Sequence, residues 1–353
     1  MIPTEPIGSI PRSDELVAAL VAADAGSISE EELDALLAEA VRETIAEFEA
    51  TGSPVVTDGE QRKPSFATYP LHGLDSLAPE GVIIPFADGH TRRLPVLTKG
   101  PFRYATHAAT YLRSAQEVAA RPVKQAVISA SALSLIYPAD GLDGYPQQEF
   151  LGDLVDEAEA DIRGCLDAGA HNVQIDFTEG RLALKLDPSG GLLRQFVDMN
   201  NQVLDRFTDE ERARIGVHSC PGGDHDSTHS ADVDYEQLLP SLFDHRAAGF
   251  YLELAGEEDP DSVLRAIATN LRPGQRVFVG VTNPIDPTIE TPEQVRERVL
   301  LAAQHVPLDQ LGTTDDCGFS PFADDRSTTR ATAFAKIRAR VEGTLLAADE
   351  LGA

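Results

Sequence analysis

The stretch IGVHSCPGG, residues 215–223, ends a short apolar run with a histidine and a cysteine two positions apart. In an extended chain residues i and i+2 project from the same face, so His218 and Cys220 can bring an imidazole nitrogen and a thiolate sulfur to one point. Cys317, in TTDDCGFSP, also follows a strand-like run and is the obvious third donor. A His, Cys, Cys set is what a tetrahedral zinc ion prefers, with the fourth position open or filled by a carboxylate when the site is catalytic. Taken singly, each of these residues is more often a core histidine or a buried thiol. The set must therefore be judged by where the fold carries it.

The elements that carry it alternate regularly. Strand-like runs at residues 6–12, 54–60 and 126–131 precede a strict series of strands at 172–177, 215–220, 250–255, 277–282 and 311–317. The predicted helices between them span 192–207, 235–246, 261–271 and 292–304, with a last one at 330–347. Earlier helices are expected from Ser29, an N-cap followed by an acidic turn, to near Gly52, over Ser114–Ala120, and over Phe150–Ala168. Eight strands each followed by a helix predict a single (β/α)8 barrel over residues 1–353. A hairpin excursion is expected between strands two and three, from Val82-Ile83-Ile84 and Leu94-Pro95-Val96-Leu97. No GxGxxG turn supports a dinucleotide-binding sheet instead.

A barrel of this kind gathers the C-terminal ends of its strands on one face. Ser9 follows strand one, Asp58 and Glu60 strand two, and Asp176 and Glu179 strand four. His218 and Cys220 end strand five, Glu253 lies late in strand six, Asn283 follows strand seven, and Asp315, Asp316 and Cys317 end strand eight. Glu253, in FYLELAG, sits in a strand expected to be buried on both faces, where a carboxylate needs a cation; it is the natural fourth metal ligand. Cys165 lies beside the apolar stripe of its helix and is assigned to the core. The loop PGGDHDSTHSAD, 221–232, follows no established ligand spacing and is read as a polar loop bordering the site.

Composition narrows the partners. A net charge of −29 and no basic run exclude ordinary nucleic-acid binding. Three cysteines in 353 residues argue for free thiols in a reducing compartment rather than a disulfide framework. The N-terminus lacks a signal-peptide pattern and no uncharged apolar run approaches twenty residues, so a soluble, cytoplasmic protein without membrane association is expected.

The motifs IGSIPR, DGE, VQIDFTEG, HSC, a glutamate at strand six and DDCG occur in that order across nearly the whole chain. In this the sequence resembles the catalytic barrel of cobalamin-independent methionine synthase, within the methionine synthase and uroporphyrinogen decarboxylase barrel superfamily. The resemblance implies a zinc-dependent thiol alkyltransferase with His218, Cys220, Glu253 and Cys317 as zinc ligands. It also implies that Ile7, Gly8 and Ser9 contact the carboxylate of an amino-acid thiol, while Glu60 and Asp176 hold its ammonium. Glu60, Asp176 and Asn283 are then the candidate catalytic side chains. Two departures stand out. The second, N-terminal barrel of the folate-using enzymes is absent, and the proton-donating histidine after strand seven is replaced by VTNPIDP, in which neither Asn283 nor Ile285 can act as a general acid.

The expected reaction is methyl transfer to homocysteine, giving methionine, from a methylfolate or a methyl-corrinoid protein. Two carboxylates at Glu60 and Asp176 favour an ammonium-bearing thiol over a purely anionic one. The nearest rival is an epoxyalkane:coenzyme M transferase-like alkylation of a zinc-bound sulfonate thiol, which IGSIPR and DDCGFSP also resemble; Arg12, Arg62, Lys63 or Arg326 would then meet the sulfonate. A non-catalytic, zinc-stabilised binding barrel is the third reading.

Overall fold

Six short parallel strands carry the architecture: Gln125–Ile128, Val173–Asp176, Ile215–Ser219, Gly249–Leu252, Arg276–Gly280 and Leu311–Thr314. They lie side by side in the order of the sequence, and almost every residue in them is buried. That is why they read as continuous apolar runs rather than as an alternation. This is a computed structural model, and it describes residues 1–353.

The first two expected strands are not regular strands. Thr4 makes one parallel bridge to Thr313 and Val56 one to Val123, which attaches these segments to the two open edges of the sheet. Ile10 N donates to Gly59 O (3.0 Å) and Thr57 Oγ1 to Gly8 O (2.8 Å), joining the segments to each other. Pro3, Pro6, Pro11 and Pro54 remove the N–H donors that a full ladder would need. The ring is thus completed by irregular chain at the very positions that carry Ile7, Ser9 and Glu60.

Between the strands run the helices Gln147–Asp167, Gly191–Leu204, Tyr235–Leu242, Pro260–Asn270 and Pro292–Ala302, with Arg330–Leu351 after the last strand, each close to its expected span. Glu30–Ala50 starts at Ser29 with its capping box formed by Glu32. The helix expected over Ser114–Ala120 lies instead at Ala109–Gln116. Its buried face is Tyr111, Leu112 and Ala115, and Pro122 disfavours helix just before it. Helices Asp14–Asp24 and Glu179–Leu186 were not legible. No helix is long and apolar enough to cross a membrane.

The excursion after the second segment contains two antiparallel pairs. Ile83–Pro85 pairs with Thr91–Arg93, and Leu77–Ala78 with Val96–Leu97. The expected partnership of residues 82–84 with 94–97 is therefore shared out, with Leu94 N donating to Val82 O (2.9 Å) as the link. One cluster of 74 buried residues forms the core.

Glu5 secures the first segment at the end of the barrel away from the site. Its carboxylate accepts from Tyr251 Oη (2.6 Å) and Asn172 Nδ2 (2.8 Å) and lies 3.6 Å from Lys124 Nζ. Burial alone would raise its pKa, but His171, Lys124, Tyr251 and Asn172 together hold it down to about 2, against an ordinary 4.5. A depressed carboxylate contributes stability that is complete above pH 4.5 and is lost as pH falls through about 2. Glu5→Ala is expected to cost about 3 kcal/mol of unfolding free energy at neutral pH. Denaturant titrations from pH 7 to 2 will show the gap between variant and wild type closing in that acid window; a constant gap contradicts the assignment.

Candidate metal centre and thiol pocket

His218 is the fourth residue of its strand, level with Asp176 on one neighbouring strand and with Tyr251 on the other. Its Nδ1–H donates to the Tyr251 carbonyl (3.0 Å). This fixes the tautomer and leaves Nε2 as a lone pair. Nε2 is fully buried and has no hydrogen-bond partner. It points into a gathering of three ligand atoms, with Cys220 and Cys317 sulfurs, all within 4.8 Å of one another. The two sulfurs are 2.9 Å apart. A hydrogen bond from Cys220 holds the Cys317 thiol well below its ordinary range. One sulfur is therefore ready to act as a thiolate.

An orphaned imidazole nitrogen facing two converging sulfurs, one of them acidic, is the donor set of a zinc site. His218, Cys220 and Cys317 fit the ion. Glu253 lies one residue past its strand, buried, and its charge is felt by both sulfurs. Its ligand atoms are not among the three that converge; Oε2 accepts from Arg181 Nη1 at 3.0 Å. Arg181, itself fully buried, is shared with Glu257 at 2.9 Å.

The two aspartates before Cys317 hold it in place. Asp316 accepts from three successive backbone N–H groups, Leu254 (3.0 Å), Ala255 (2.9 Å) and Gly256 (2.7 Å), tying strand eight to the loop that carries Glu253. Burial pushes Asp316 up to about 7. Asp315 accepts from Thr282 (2.7 Å) and pairs with the buried Arg340 at 3.2 Å. Both serve to position Cys317.

A cavity of about 380 Å³ opens against this cluster. Ile7, Ser9, Glu60, Asp176, His218 and Cys317 all line it, so the structure brings together most of the residues expected there. Ser9 Oγ accepts from Ser320 N (3.2 Å), which leaves its own O–H to donate. Gly318 allows this approach, since a Cβ there would stand 2.1 Å from Ser9 Oγ. Glu60 is held at φ 56° and accepts from Lys63 Nζ (2.8 Å). Asp176 accepts from Gln174 (2.7 Å), and burial raises it to about 6. Gly8, Cys220, Glu253 and Asn283 are not on the cavity wall. Asn283 structures its own loop, with Oδ1 accepting from Ile285 N (3.0 Å) and its N–H donating to Glu290 (2.8 Å).

The far wall comes from parts that no strand-end argument could locate. The excursion contributes Ile84, Phe86 and Arg92, and the loop after strand five contributes His229. Arg92 is bound by Asp224 and Asp324 and stacks on Phe322, 4.1 Å from the ring centre. Ala87 N donates to Thr228 O (2.9 Å), so excursion and loop are stitched together over the pocket. Glu179, expected at the exit of strand four, instead starts a helix behind the pocket and accepts from Ser129 (2.6 Å) and Ser131.

Residues 2–342 match the family model described as the catalytic domain of cobalamin-independent synthase. The chain belongs to this family. Among curated relatives it is similar to the uncharacterized protein YxjH of Bacillus subtilis, 27% identical over 94% of this chain and 91% of that protein. It is similar also to a methionine synthase of Sulfurisphaera tokodaii, 22% identical over 99% of this chain and 94% of the relative. The fold matches a B12-independent methionine synthase from Shewanella sp. W3-18-1 solved with selenomethionine. That match has a TM-score of 0.77 and 18% identity over 99% of each chain. The family is therefore one of methionine synthase-like transferases, and this member has a buried His, Cys, Cys cluster consistent with a zinc site.

If the three residues hold a metal together, loss of either thiol must release it. Zinc measured by plasma emission on purified protein is expected to fall from about one per chain to below a tenth of that in Cys220→Ser and Cys317→Ser. It should be unaffected in Cys165→Ser, whose thiol is buried in the core. Full occupancy in either of the first two variants overturns the assignment.

Proposed function

We propose that this chain is a zinc-dependent methyltransferase that alkylates the sulfur of homocysteine to give methionine. The observation that carries this reading is the charge balance beside the metal cluster. Asp58, Glu60 and Asp176 are three buried carboxylates, and two buried cations face them. Lys63 bonds Glu60, and Arg12 donates to the Glu60 and Lys63 carbonyls at 2.6 Å each while feeling both Glu60 and Asp58. No cation pairs with the Asp176 side chain, which accepts only from Gln174, so the acidic shell is left open where Glu60 and Asp176 face the cavity. A ligand ammonium would complete it. The Ser9 hydroxyl, free to donate, suits the carboxylate of the same amino acid.

The same arrangement disfavours a sulfonate thiol. Arg92 on the cavity wall is held by Asp224 and Asp324, which leaves Arg93, on the excursion wall opposite the acidic shell, as the lining cation without an ion pair; Arg12 and Lys63 are consumed by the acidic shell. Arg62 and Arg326 are paired with Asp34 and Asp14, and neither lies on the cavity wall. Epoxide opening on coenzyme M is therefore the weaker alternative, and a merely structural metal is weaker still because Cys317 and His218 border an open cavity.

Zinc, when bound, supplies a Lewis-acid centre that deprotonates a thiol and keeps it nucleophilic. His218, Cys220 and Cys317 would hold the ion, with Glu253 as the reserve fourth ligand if it leaves Arg181. Glu60 and Asp176 orient the amino acid so that its sulfur faces the cluster, and the apolar wall at Ile84 and Phe86 keeps water from the reacting carbon. The alkyl donor is a methylfolate or a methyl-corrinoid protein acting in the cytoplasm.

Calorimetric titration of zinc-loaded protein is expected to show homocysteine binding and coenzyme M binding at least ten times more weakly. Asp176→Asn should weaken homocysteine about tenfold or more, equivalent to about 1.4 kcal/mol, while leaving zinc content unchanged. Equal or tighter binding of coenzyme M contradicts the methionine reading.

A further inference from the structure

We propose that His229 is the general base that takes the S–H proton from the incoming thiol; this rests on the thiol-alkylating function above. The loop after strand five returns His229 to the cavity wall, and four contacts fix its ring and backbone. Ser230 Oγ lies 2.8 Å from His229 Nδ1, and the His229 backbone N donates to Gly222 O at 3.2 Å. Lys185 Nζ donates to His229 O at 3.0 Å, and the ring of Phe86 meets the imidazole edge-on with centroids 5.5 Å apart. Gly222, at φ 71°, gives the ring its space, for a Cβ there would collide with it.

The tautomer follows from the hydrogen bonds. Ser230 Oγ spends its proton on the Pro221 carbonyl (3.0 Å), so toward His229 it can only accept. Nδ1 must carry the hydrogen, and Nε2 presents a lone pair. The twin glycines 222 and 223 then locate that lone pair. A Cβ on Gly222 would stand 1.8 Å from His229 Nε2, and one on Gly223 would stand 3.9 Å from Cys317 Sγ. His229 and Cys317 thus lie on either side of one dipeptide, and both line the cavity that a thiol would enter.

The surroundings of the ring keep it neutral but a weak base at pH 7, so it serves a thiol whose own pKa the metal lowers. Burial comes first, and Lys185 and Arg181 from the neighbouring helix outweigh Asp232 on its own loop, so His229 is lowered to about 4 and stays neutral at pH 7. The step balances simply: the S–H bond breaks, its electron pair stays on sulfur as the thiolate, and the proton joins Nε2 to give an imidazolium. Because that imidazolium is a strong acid, the proton is available afterwards to water or to the departing donor. This gives the pocket a proton-handling group although the loop after strand seven has none.

The test is stopped-flow mixing of zinc-loaded protein with homocysteine in dilute buffer containing a pH indicator, which times proton release as the thiol binds. His229→Ala and His229→Gln are expected to slow that release about a hundredfold, within the usual range for losing a general base. Zinc content and equilibrium thiol affinity should change less than threefold. Added imidazole should restore the rate of His229→Ala, and Ser230→Ala, which frees the tautomer, should fall between. Release at the wild-type rate in both His229 variants overturns the proposal, as does slowing that imidazole leaves untouched in the alanine variant. Methylation of homocysteine by methyl iodide separates the two claims. If zinc-loaded wild type does not accelerate it over free thiol, the alkylating function itself fails; if it does and the proton release is unchanged in the variants, only the role of His229 fails.

Discussion

The hydrogen bond from His218 Nδ1 to the Tyr251 carbonyl is the contact on which the site depends. It spans two adjacent parallel strands, so its geometry is set by the register of the sheet rather than by a loop. By taking up one nitrogen it makes the other a buried lone pair with no protein partner, a condition that costs free energy unless something arrives to use it. Two sulfurs converge there from the ends of strands five and eight. The acidic pair ahead of Cys317 is committed to holding those strand ends together, through the Leu254–Gly256 backbone on one side and Arg340 on the other. The candidate metal ligands and the contacts that close the barrel thus share the same strand ends.

The fold and the His, Cys, Cys cluster were legible because they obey local rules. Buried parallel strands read as apolar runs, and the i, i+2 relation of His218 and Cys220 needs only an extended backbone. Where the chain breaks those rules it was read less well. The proline-rich first segment carries Ile7 and Ser9 yet makes a single bridge, so only its placement, not its strand character, could be inferred. Glu253 was expected to seek a metal because a buried carboxylate needs a cation. The requirement holds, but Arg181, distant in sequence and on a helix that had not been foreseen, supplies a cation already. Asn283 follows its strand as expected and then turns its side chain back onto its own loop.

The opposite wall was legible only as an unexplained excursion and a polar loop. Their meaning lies in long-range contacts: Arg92 to Asp224 and Asp324, and Ala87 to Thr228. Here the excursion between the second segment and the third strand arches over the mouth, and the loop after strand five rises to meet it. The apolar Ile84 and Phe86 and the imidazole of His229 share that wall.

The central claim is that His218, Cys220 and Cys317 hold a zinc ion which accepts the substrate sulfur. Zinc K-edge X-ray absorption on the loaded protein, before and after homocysteine is added, tests it most directly. The account predicts two sulfur scatterers at about 2.3 Å with nitrogen or oxygen completing the shell, and a third sulfur at the same distance once the thiol binds. A shell with fewer than two sulfurs, or a sulfur count that homocysteine does not change, would contradict it.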